Sequence, residues 1–357
     1  MSAPASHPAP QEAPETALAE FIRQRTGARR ASVLEFRRLS GGAIQDNHAL
    51  ALSLEGGDSP GRLEVVVRSD APSRIAASLD RAQEFHVLAA AFEAGVTVPR
   101  PLWLCTDTSV IGRVFSVMSL MPGSASPARL LRGAIGPDRA RALTRRLGAE
   151  LARLHTIRPP RADLGFLPVP DGPAAHSRLR GYREALAQIP DSRPVLEWAL
   201  NWLEDHAPAD AGLALCHCDF RTGNYLVQDG RLTAVLDWEF AAWSDPYEDL
   251  GWLCSRSWRF GVAEKEVGGL GDKQDLYAGY AEHAGTEVDP AKVLYWEIMA
   301  MVRWAIIALQ QAQRHLSGEQ HSLELALTGR MLPEIEFDLL RQVCDMENDD
   351  ARSAPRP

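Results

Sequence analysis

Three side chains that carry oxygen lie close together in the stretch 213–249: Asp219, Asn224 and Asp237. A carboxylate such as that of Asp219 can accept the proton of a substrate hydroxyl and direct the hydroxyl oxygen at a γ-phosphate. Amide and carboxylate oxygens are hard ligands, and Mg²⁺ takes one or two of them from a protein and completes its shell with water and phosphate oxygens. Side chains of these types are therefore suited to phosphoryl transfer assisted by a divalent cation, if the fold brings them together.

A tight β-hairpin is predicted between Asn224 and Asp237, because Asp229-Gly230 is a strong two-residue turn signal between short apolar strands. With these two residues as the loop, Asn224 is predicted to lie opposite position 235. Asp237 then lies diagonally across on the same face, and such diagonal neighbours are roughly 7–8 Å apart. Two side-chain oxygens at that spacing can converge on one cation.

The elements that must position these residues change character along the chain. Strand-like segments, including the β-branched run 65–67, surround one helical stripe at 85–92, and a Pro-Gly break follows at 122–123. Beyond the break the apolar spacing is mostly helical. We therefore predict an α+β, bilobal, protein-kinase-like fold, with a small β-rich N-terminal lobe that contains one inserted helix and a larger α-rich C-terminal lobe. The predicted segments are a disordered tail 1–14, an N-terminal lobe 15–121, a C-terminal lobe 122–346 and a disordered tail 347–357.

Composition excludes some classes of partner. The 357 residues carry a formal net charge of −9, which argues against nucleic-acid binding because phosphate backbones attract basic surfaces. Five cysteines without disulfide-like spacing, and an N-terminus without a secretory pattern, predict a cytoplasmic protein. The most apolar stretch, 296–309, is short and contains Glu297 and Arg303, so we expect a buried core helix and no membrane span. The sequence gives no indication of the oligomeric state.

The pattern His217-x-Asp219-x-x-x-x-Asn224, followed by Asp237 after an apolar strand, resembles the catalytic loop and metal-binding aspartate of the aminoglycoside phosphotransferase family. That family includes choline kinases and other small-molecule kinases and is distantly related to protein kinases. The resemblance implies that Asp219 is the catalytic base, that Asn224 and Asp237 bind Mg²⁺, and that ATP is the phosphate donor. His217 and Asp249 would brace the catalytic loop.

The resemblance extends over most of residues 33–255 and makes the N-terminal lobe the nucleotide-binding lobe. It implies a set of nucleotide-binding residues in a glycine loop, a phosphate-binding ion pair and a hinge: Ser40, Gly41, Gly42, Arg68, Glu84, Ser119 and Met121. The hinge would contact the base mainly through its backbone, so ATP and GTP both fit.

Three features depart from the family pattern. The glycine loop has two adjacent glycines instead of G-x-G-x-x-G, Cys218 replaces a glycine, and Arg68 stands where the family has a lysine. Arginine keeps the positive charge, but its side chain is longer and planar, so it would contact phosphates with a different geometry.

The same residues are open to other interpretations. Asp and Asn side chains commonly cap loops and turns, and the run Cys216-His217-Cys218 could serve a thiol- or metal-dependent hydrolase. Arg68 and the short glycine loop also fit a kinase-like nucleotide-binding module with weak or no catalysis. Within the kinase hypothesis the acceptor is a small molecule with a hydroxyl group. A metabolic alcohol, sugar, amino alcohol or hydroxyacyl compound ranks above an aminoglycoside, which would favour a strongly acidic pocket.

Overall fold

The computed structural model describes residues 13–39, 45–70, 78–132 and 135–353. Within these residues the helices and strands, in chain order, are α1 Pro14–Thr26, β1 Arg30–Arg38, β2 Gln45–Glu55, β3 Gly61–Asp70, α2 Arg81–Glu93, β4 Pro101–Cys105, β5 Phe115–Ser119, α3 Pro127–Leu131, α4 Pro137–Leu154, α5 Ala174–Ala187, α6 Pro194–Asp205, β6 Ala214–Cys216, β7 Tyr225–Gln228, β8 Arg231–Val235, β9 Ala242–Ser244, α7 Tyr247–Cys254, α8 Lys273–Ala284, α9 Pro290–Leu316, α10 Leu323–Arg330 and α11 Leu332–Ser353. Short 3₁₀ turns occur at Ala162–Leu164 and Arg256–Trp258.

The chain divides into two compact units, and unit 1 comprises Met1–Phe92 and Pro99–Met121. Its five-stranded antiparallel sheet has the order β1-β2-β3-β5-β4. Val65 and Val67 of the central strand β3 are buried, and they share a core with Leu18 and Ile22 of α1. The buried β-branched residues thus fix the position of β3, which carries Arg68 near its C-terminal end.

Unit 2 comprises Glu93–Val98 and Pro122–Pro357 and is mostly helical. Its core lies around α9, which begins where the Asp289 side chain accepts a hydrogen bond from the N–H of Ala291. By length and composition alone, α9 could cross a membrane, but 72% of its most apolar window is buried inside the structure. The sheet of unit 1 and the helices of unit 2 confirm the predicted α+β class.

Helices α4 and α8 approach each other closely through two glycines. A Cβ atom on Gly148 would lie 2.1 Å from the carbonyl oxygen of Leu276, and one on Gly279 would lie 1.9 Å from that of Arg145. Only glycine permits this backbone contact. The contact fixes α4, whose C-terminal end supplies His155 to the site described below.

Two segments differ from the sequence-based boundaries. Residues 93–98, expected in the N-terminal lobe, belong to unit 2, because the N–H of Thr97 donates to Glu150 at 2.6 Å and its carbonyl accepts from Val235 at 2.7 Å. Helix α11 continues to Ser353, through most of the expected C-terminal tail. Its apolar residues Leu339 and Val343 are anchored in the core, so the helix is nucleated by packing and extends into a polar sequence.

Candidate active site

The turn between β7 and β8 is the two-residue turn that the sequence predicts. Asp229 and Gly230 both have positive φ angles, 52° and 77°, and Gln228 pairs with Arg231. Positive φ at both central residues is typical of the type I′ hairpin turn.

The predicted register of this hairpin is wrong beyond its first two pairs. A β-bulge leaves Thr233 as an extra residue in β8. The Thr233 hydroxyl donates to the carbonyl of Pro122 at 2.6 Å and to that of Leu226 at 3.2 Å. The bulge is therefore stabilised by a distant segment of chain, which turn chemistry alone does not reveal.

The bulge changes how Asn224 and Asp237 come together. Tyr225 pairs with Val235, and the N–H of Leu236 donates to the carbonyl of Asn224 at 2.8 Å. Asn224 thus lies opposite Leu236 instead of position 235, and Asp237 is the next residue. Asp237 has a φ of 69°, in the left-handed region, so it does not have a strand conformation. The diagonal strand neighbours that the sequence predicted are therefore not formed.

The carboxylate of Asp219 is held by three side chains of unit 2. Its Oδ2 accepts a hydrogen bond from the Asn224 amide at 2.6 Å, while its Oδ1 accepts from the Trp252 indole at 2.9 Å and the Arg221 Nε at 3.2 Å. Asp219 is only 9% exposed. An ionised carboxylate has about four acceptor positions, so these bonds leave room for one more donor, such as a substrate hydroxyl.

Hydrogen bonds that involve the side chains of Asp249 and His217 fix the loop that carries Asp219. The two oxygens of Asp249 accept the backbone N–H groups of His217 and Cys218 at 2.7 and 2.8 Å. Since the N–H of Asp219 donates to His217 Nδ1 at 3.2 Å, His217 Nε2 carries the proton and donates to the Leu236 carbonyl at 2.9 Å. The His217 ring thus ties the loop to the strand end that precedes Asp237.

Asp249 is fully buried and ionised. Burial alone would raise the pKa of its carboxyl, but the hydrogen bond and charge of His155 and the backbone N–H of His217 hold that pKa below its usual range. His155 Nε2 lies 3.2 Å from the carboxylate, and His155 Nδ1 lies 3.0 Å from the Tyr280 hydroxyl. The braced loop is therefore anchored to α4, α7 and α8.

The oxygen donors of Asn224 and Asp237 suit magnesium. The Asn224 amide nitrogen donates to both the carboxylate and the carbonyl of Asp219, the latter at 3.0 Å, which leaves the amide oxygen as the group that can bind a cation. Asp237 is half-buried and supplies a carboxylate at the next strand end. One amide oxygen and one carboxylate fit the small protein share of a Mg²⁺ coordination shell.

The cysteines beside this loop are not suited to thiol chemistry. Burial raises the pKa of both the Cys216 and the Cys218 thiol well above the usual value, so both are protonated near neutral pH. Ligand atoms of His155, Cys216 and Asp249 lie within 4.8 Å of one another, but the Asp249 oxygens already accept the hydrogen bonds described above. The hydrolase interpretation of the Cys-His-Cys run gains no support.

Cys218 occupies a backbone conformation that favours glycine. Its φ is 59°, in the left-handed region, which explains why a glycine would be suited to this position. Its Sγ accepts a hydrogen bond from Arg178 at 3.3 Å, and its carbonyl accepts one from Arg303 at 2.5 Å. The cysteine side chain thus adds a contact with Arg178 that a glycine could not make, whereas the bond from Arg303 goes to the backbone and does not depend on the side chain.

In unit 1 the structure pairs Arg68 with Glu84. The Arg68 Nη2 lies 2.8 Å from Glu84 Oε1, and both side chains are buried. Arg81, one turn earlier in α2, also contacts Glu84 and lies 3.3 Å from Asp70. Burial lowers the pKa of Arg81, although Glu84 and Asp70 oppose this effect. Arg68 therefore makes the ion pair expected of the lysine that it replaces.

The other predicted nucleotide-binding residues are only partly described. Ser119 ends β5, and its hydroxyl accepts the N–H of Arg100 at 2.9 Å and donates to the Met121 sulfur at 3.5 Å. Ser40, Gly41 and Gly42 lie outside the described residues.

Sequence reasoning missed Trp252, Arg221 and Arg303 as residues of this site. Trp252 follows Asp249 by three positions in α7, so both face the same loop. That helical spacing was the available signal. Arg303 comes from α9, far along the chain, and nothing in the local sequence indicates its contact with Cys218.

Two surface cavities lie elsewhere in unit 2. One of about 580 Å³ lies between α9 and the α5–α6 and α10–α11 connections, and the other, of about 370 Å³, is lined by Lys273 and Glu297. Neither is lined by Asp219, Asn224 or Asp237.

Comparison with known proteins identifies the family. A model of the phosphotransferase enzyme family matches residues 35–285. Acyl-CoA dehydrogenase family member 11 of Gallus gallus is 35% identical over 186 residues, which cover 48% of this chain and 22% of that relative. The chain thus spans about a fifth of the length of this curated relative.

Solved structures share the fold. A Ralstonia eutropha protein, provisionally assigned as an aminoglycoside phosphotransferase, has a TM-score of 0.74 and 22% identity, covering 92% of this chain and 98% of that one. An aminoglycoside phosphotransferase in a ternary complex with ADP and hygromycin B has a TM-score of 0.58 and 15% identity, covering 91% and 98%. The predicted protein-kinase-like fold is confirmed, and the chain belongs to the phosphotransferase enzyme family.

Proposed function

We propose that this chain transfers the γ-phosphoryl group of Mg·ATP to a hydroxyl group of a small molecule. The observation that carries the proposal is the environment of Asp219. Its carboxylate is oriented by Asn224, Trp252 and Arg221 and retains room for a hydroxyl donor. Asp219 would accept the hydroxyl proton as the acceptor oxygen forms its bond to phosphorus.

Asn224 and Asp237 would hold the magnesium ion, which supplies neutralisation of phosphate charge when it is bound. Asn224 would have two tasks, because its amide nitrogen orients Asp219 and its amide oxygen would be the group that binds the cation. Arg68, supported by Glu84, would contact the nucleotide phosphates as a lysine does in other kinases. The complex of a fold relative with ADP supports ATP as donor, and GTP remains the alternative.

Among possible acceptors, the shared region with acyl-CoA dehydrogenase family member 11 favours a hydroxyacyl compound. All five cysteines are free thiols, in keeping with action in the cytoplasm. The proposed partners are therefore the nucleotide, the metal ion and a small hydroxyl substrate.

The test is Asp219→Asn, assayed by mass spectrometry of phosphorylated products from a panel of alcohols, sugars, hydroxy acids and aminoglycosides. Loss of the base should lower turnover roughly a hundredfold to ten-thousandfold while Mg·ATP still stabilises the fold. Asp229→Asn is the matched control, since it makes the same change in an exposed turn residue whose positive φ suits asparagine. Equal turnover in both variants would refute the role of Asp219.

A second candidate is a nucleotide-binding module without transfer, and the observation that favours it is arginine at position 68. This alternative predicts thermal stabilisation by Mg·ATP together with no phosphorylated product from wild-type protein. Arg68→Lys separates the two candidates, because a large gain of transfer activity on restoring lysine would indicate a degenerate site.

A further inference from the structure

Two arginines lie on two adjacent indole rings beside Asp219. The Arg303 guanidinium is 4.4 Å from the ring centre of Trp252, and the Arg221 guanidinium is 4.6 Å from that of Trp258. The two indole rings are 5.2 Å apart. Since Trp252 and Arg221 both donate to the Asp219 carboxylate, this aromatic and cationic surface directly adjoins the proposed base.

A third arginine gives this surface an excess of positive charge. Arg178 Nε lies 2.9 Å from Glu248, and Arg303 lies 3.6 Å from the same glutamate. Arg221 pairs with Asp219 at 3.2 Å. Three guanidinium groups thus share two carboxylates, although the whole chain has a net charge of −9.

The side chains of these three arginines are partly exposed. The side chains of Arg178, Arg221 and Arg303 are 30%, 27% and 16% exposed. Arg221 donates from Nε to the Asp219 carboxylate and from Nη1 to the Thr222 carbonyl. A guanidinium has five N–H donors in a planar fork that matches a carboxylate or phosphate, and stacking on an indole fixes the plane of that fork.

We propose that the acceptor is an anionic alcohol, whose carboxylate or phosphate oxygens pair with Arg303 and Arg221 while its hydroxyl meets Asp219. This inference rests on the proposed phosphotransferase function and specifies its substrate class. The acceptor oxygen forms a bond to the γ-phosphorus as the bond to ADP breaks, and the hydroxyl proton passes to Asp219. Cationic acceptors such as aminoglycosides and amino alcohols are disfavoured, because their ammonium groups would approach the arginines.

Two sources could supply the anionic group: the carboxylate of a free hydroxy acid, or the phosphates of a hydroxyacyl coenzyme A thioester. A matched acceptor series distinguishes them, made of one hydroxy acid, its neutral amide, the corresponding amino alcohol, its coenzyme A thioester and its pantetheine thioester. Pantetheine lacks the phosphates of coenzyme A. Preference for the free acid assigns the carboxylate, and preference for the coenzyme A thioester over the pantetheine thioester assigns the phosphates.

The measurement is kcat/KM for formation of the phosphorylated product, over several chain lengths. We expect the preferred anionic acceptor to exceed the neutral amide by at least about tenfold, and the amino alcohol by more, as for loss of a charged hydrogen bond. Equal or better phosphorylation of the amide or the amino alcohol overturns the proposal and leaves the phosphotransferase function intact.

Arg303→Met should lower kcat/KM for the anionic acceptor about tenfold to a hundredfold more than kcat/KM for the neutral amide, with the extra loss mainly in KM. Arg303→Lys should retain part of the preference for the anionic acceptor over the neutral amide, because lysine keeps the positive charge. This variant replaces Arg303→Met in the test if the methionine variant does not fold. Arg183→Gln is the matched control, because Arg183 lies in unit 2 but pairs with Glu204 on an exposed helix face. An equal loss for charged and neutral acceptors in Arg303→Met contradicts anion recognition.

If no acceptor is phosphorylated, the proposed function fails. The proposed anion site is then tested separately, by ligand binding. The acids, amides and amino alcohols are then compared as ligands by thermal shift of the full chain. Stabilisation by the anions alone, lost in Arg303→Met, supports the inference. Absence of stabilisation by every anionic ligand overturns it.

Discussion

Each unit of this protein contains a buried glutamate shared by two arginines. In unit 1, Glu84 contacts Arg68 at 2.8 Å and also contacts Arg81. In unit 2, Glu248 contacts Arg178 at 2.9 Å and Arg303 at 3.6 Å. The chemical groups are the same, but their surroundings differ in two ways.

The first difference is exposure. The side chains of Arg68 and Arg81 are 10% and 5% exposed, whereas those of Arg178 and Arg303 are 30% and 16% exposed. The second is charge balance, since Asp70 supplies a second carboxylate to Arg81. The unit 1 cluster is thus largely desolvated and balanced, while the unit 2 cluster is more accessible and has spare positive charge. One glutamate between two arginines can therefore brace a fold or leave a surface ready for an anion.

The largest expected effect separates the clusters by stability. Glu84→Gln should lower the free energy of unfolding by about 3 kcal/mol, because it leaves two desolvated guanidinium groups with one carboxylate. Glu248→Gln should cost about 1–2 kcal/mol, since its arginines can reach water. Urea denaturation of both variants measures the difference, and a larger loss for Glu248→Gln would break the comparison.

A second effect concerns the braced loop of unit 2. Because the pKa of Asp249 is lowered in the folded state, its contribution to stability is complete above the ordinary aspartate value of about 3.9 and is lost as pH falls through the lowered pKa. Asp249→Asn should lose about 2–3 kcal/mol near neutral pH, with a smaller further loss on acidification than wild type. Denaturation midpoints from pH 7 down to about 3 measure this; parallel pH profiles would exclude the ionised carboxylate as the brace.

The two arginine clusters should affect different Michaelis constants, the unit 1 cluster that for ATP and the unit 2 cluster that for the acceptor. Arg68→Lys is expected to change KM for ATP by about tenfold in either direction, and Arg303→Lys is expected to change KM for the acceptor by a similar factor. Each variant should leave the other KM nearly unchanged. A shift of both constants in either variant would show that the two clusters do not serve separate ligands.

The smallest expected effect is at Cys218. Cys218→Gly relieves the cost of a left-handed backbone at a φ of 59° but adds freedom to the unfolded chain and removes the Arg178 contact. The net change in unfolding free energy should be within about 1 kcal/mol. A loss well beyond that range, seen in thermal denaturation, would show that the thiol is needed to hold Arg178.

The two clusters also show what the sequence could and could not predict. Arg68 and Glu84 were predicted from the family resemblance, which matched them to the end of the β-branched strand and to the next helix. Asp219, Asn224 and Asp237 were predicted from a loop and a hairpin signal as well as from the resemblance. The hairpin register failed because the Thr233 bulge depends on a hydrogen bond to Pro122. The unit 2 cluster comes from α5, α7 and α9, and no local spacing brings such distant residues together.

Asn224 and Asp237 are proposed to hold a divalent cation together with a nucleotide. Electron paramagnetic resonance of Mn²⁺, used in place of Mg²⁺, tests it without any acceptor. In the presence of ATP, wild-type protein and Asp229→Asn should bind Mn²⁺ tightly, while Asp237→Ala and Asn224→Ala should bind it far more weakly. Undiminished nucleotide-dependent Mn²⁺ binding in Asp237→Ala would show that Asp237 is not a ligand of the cation.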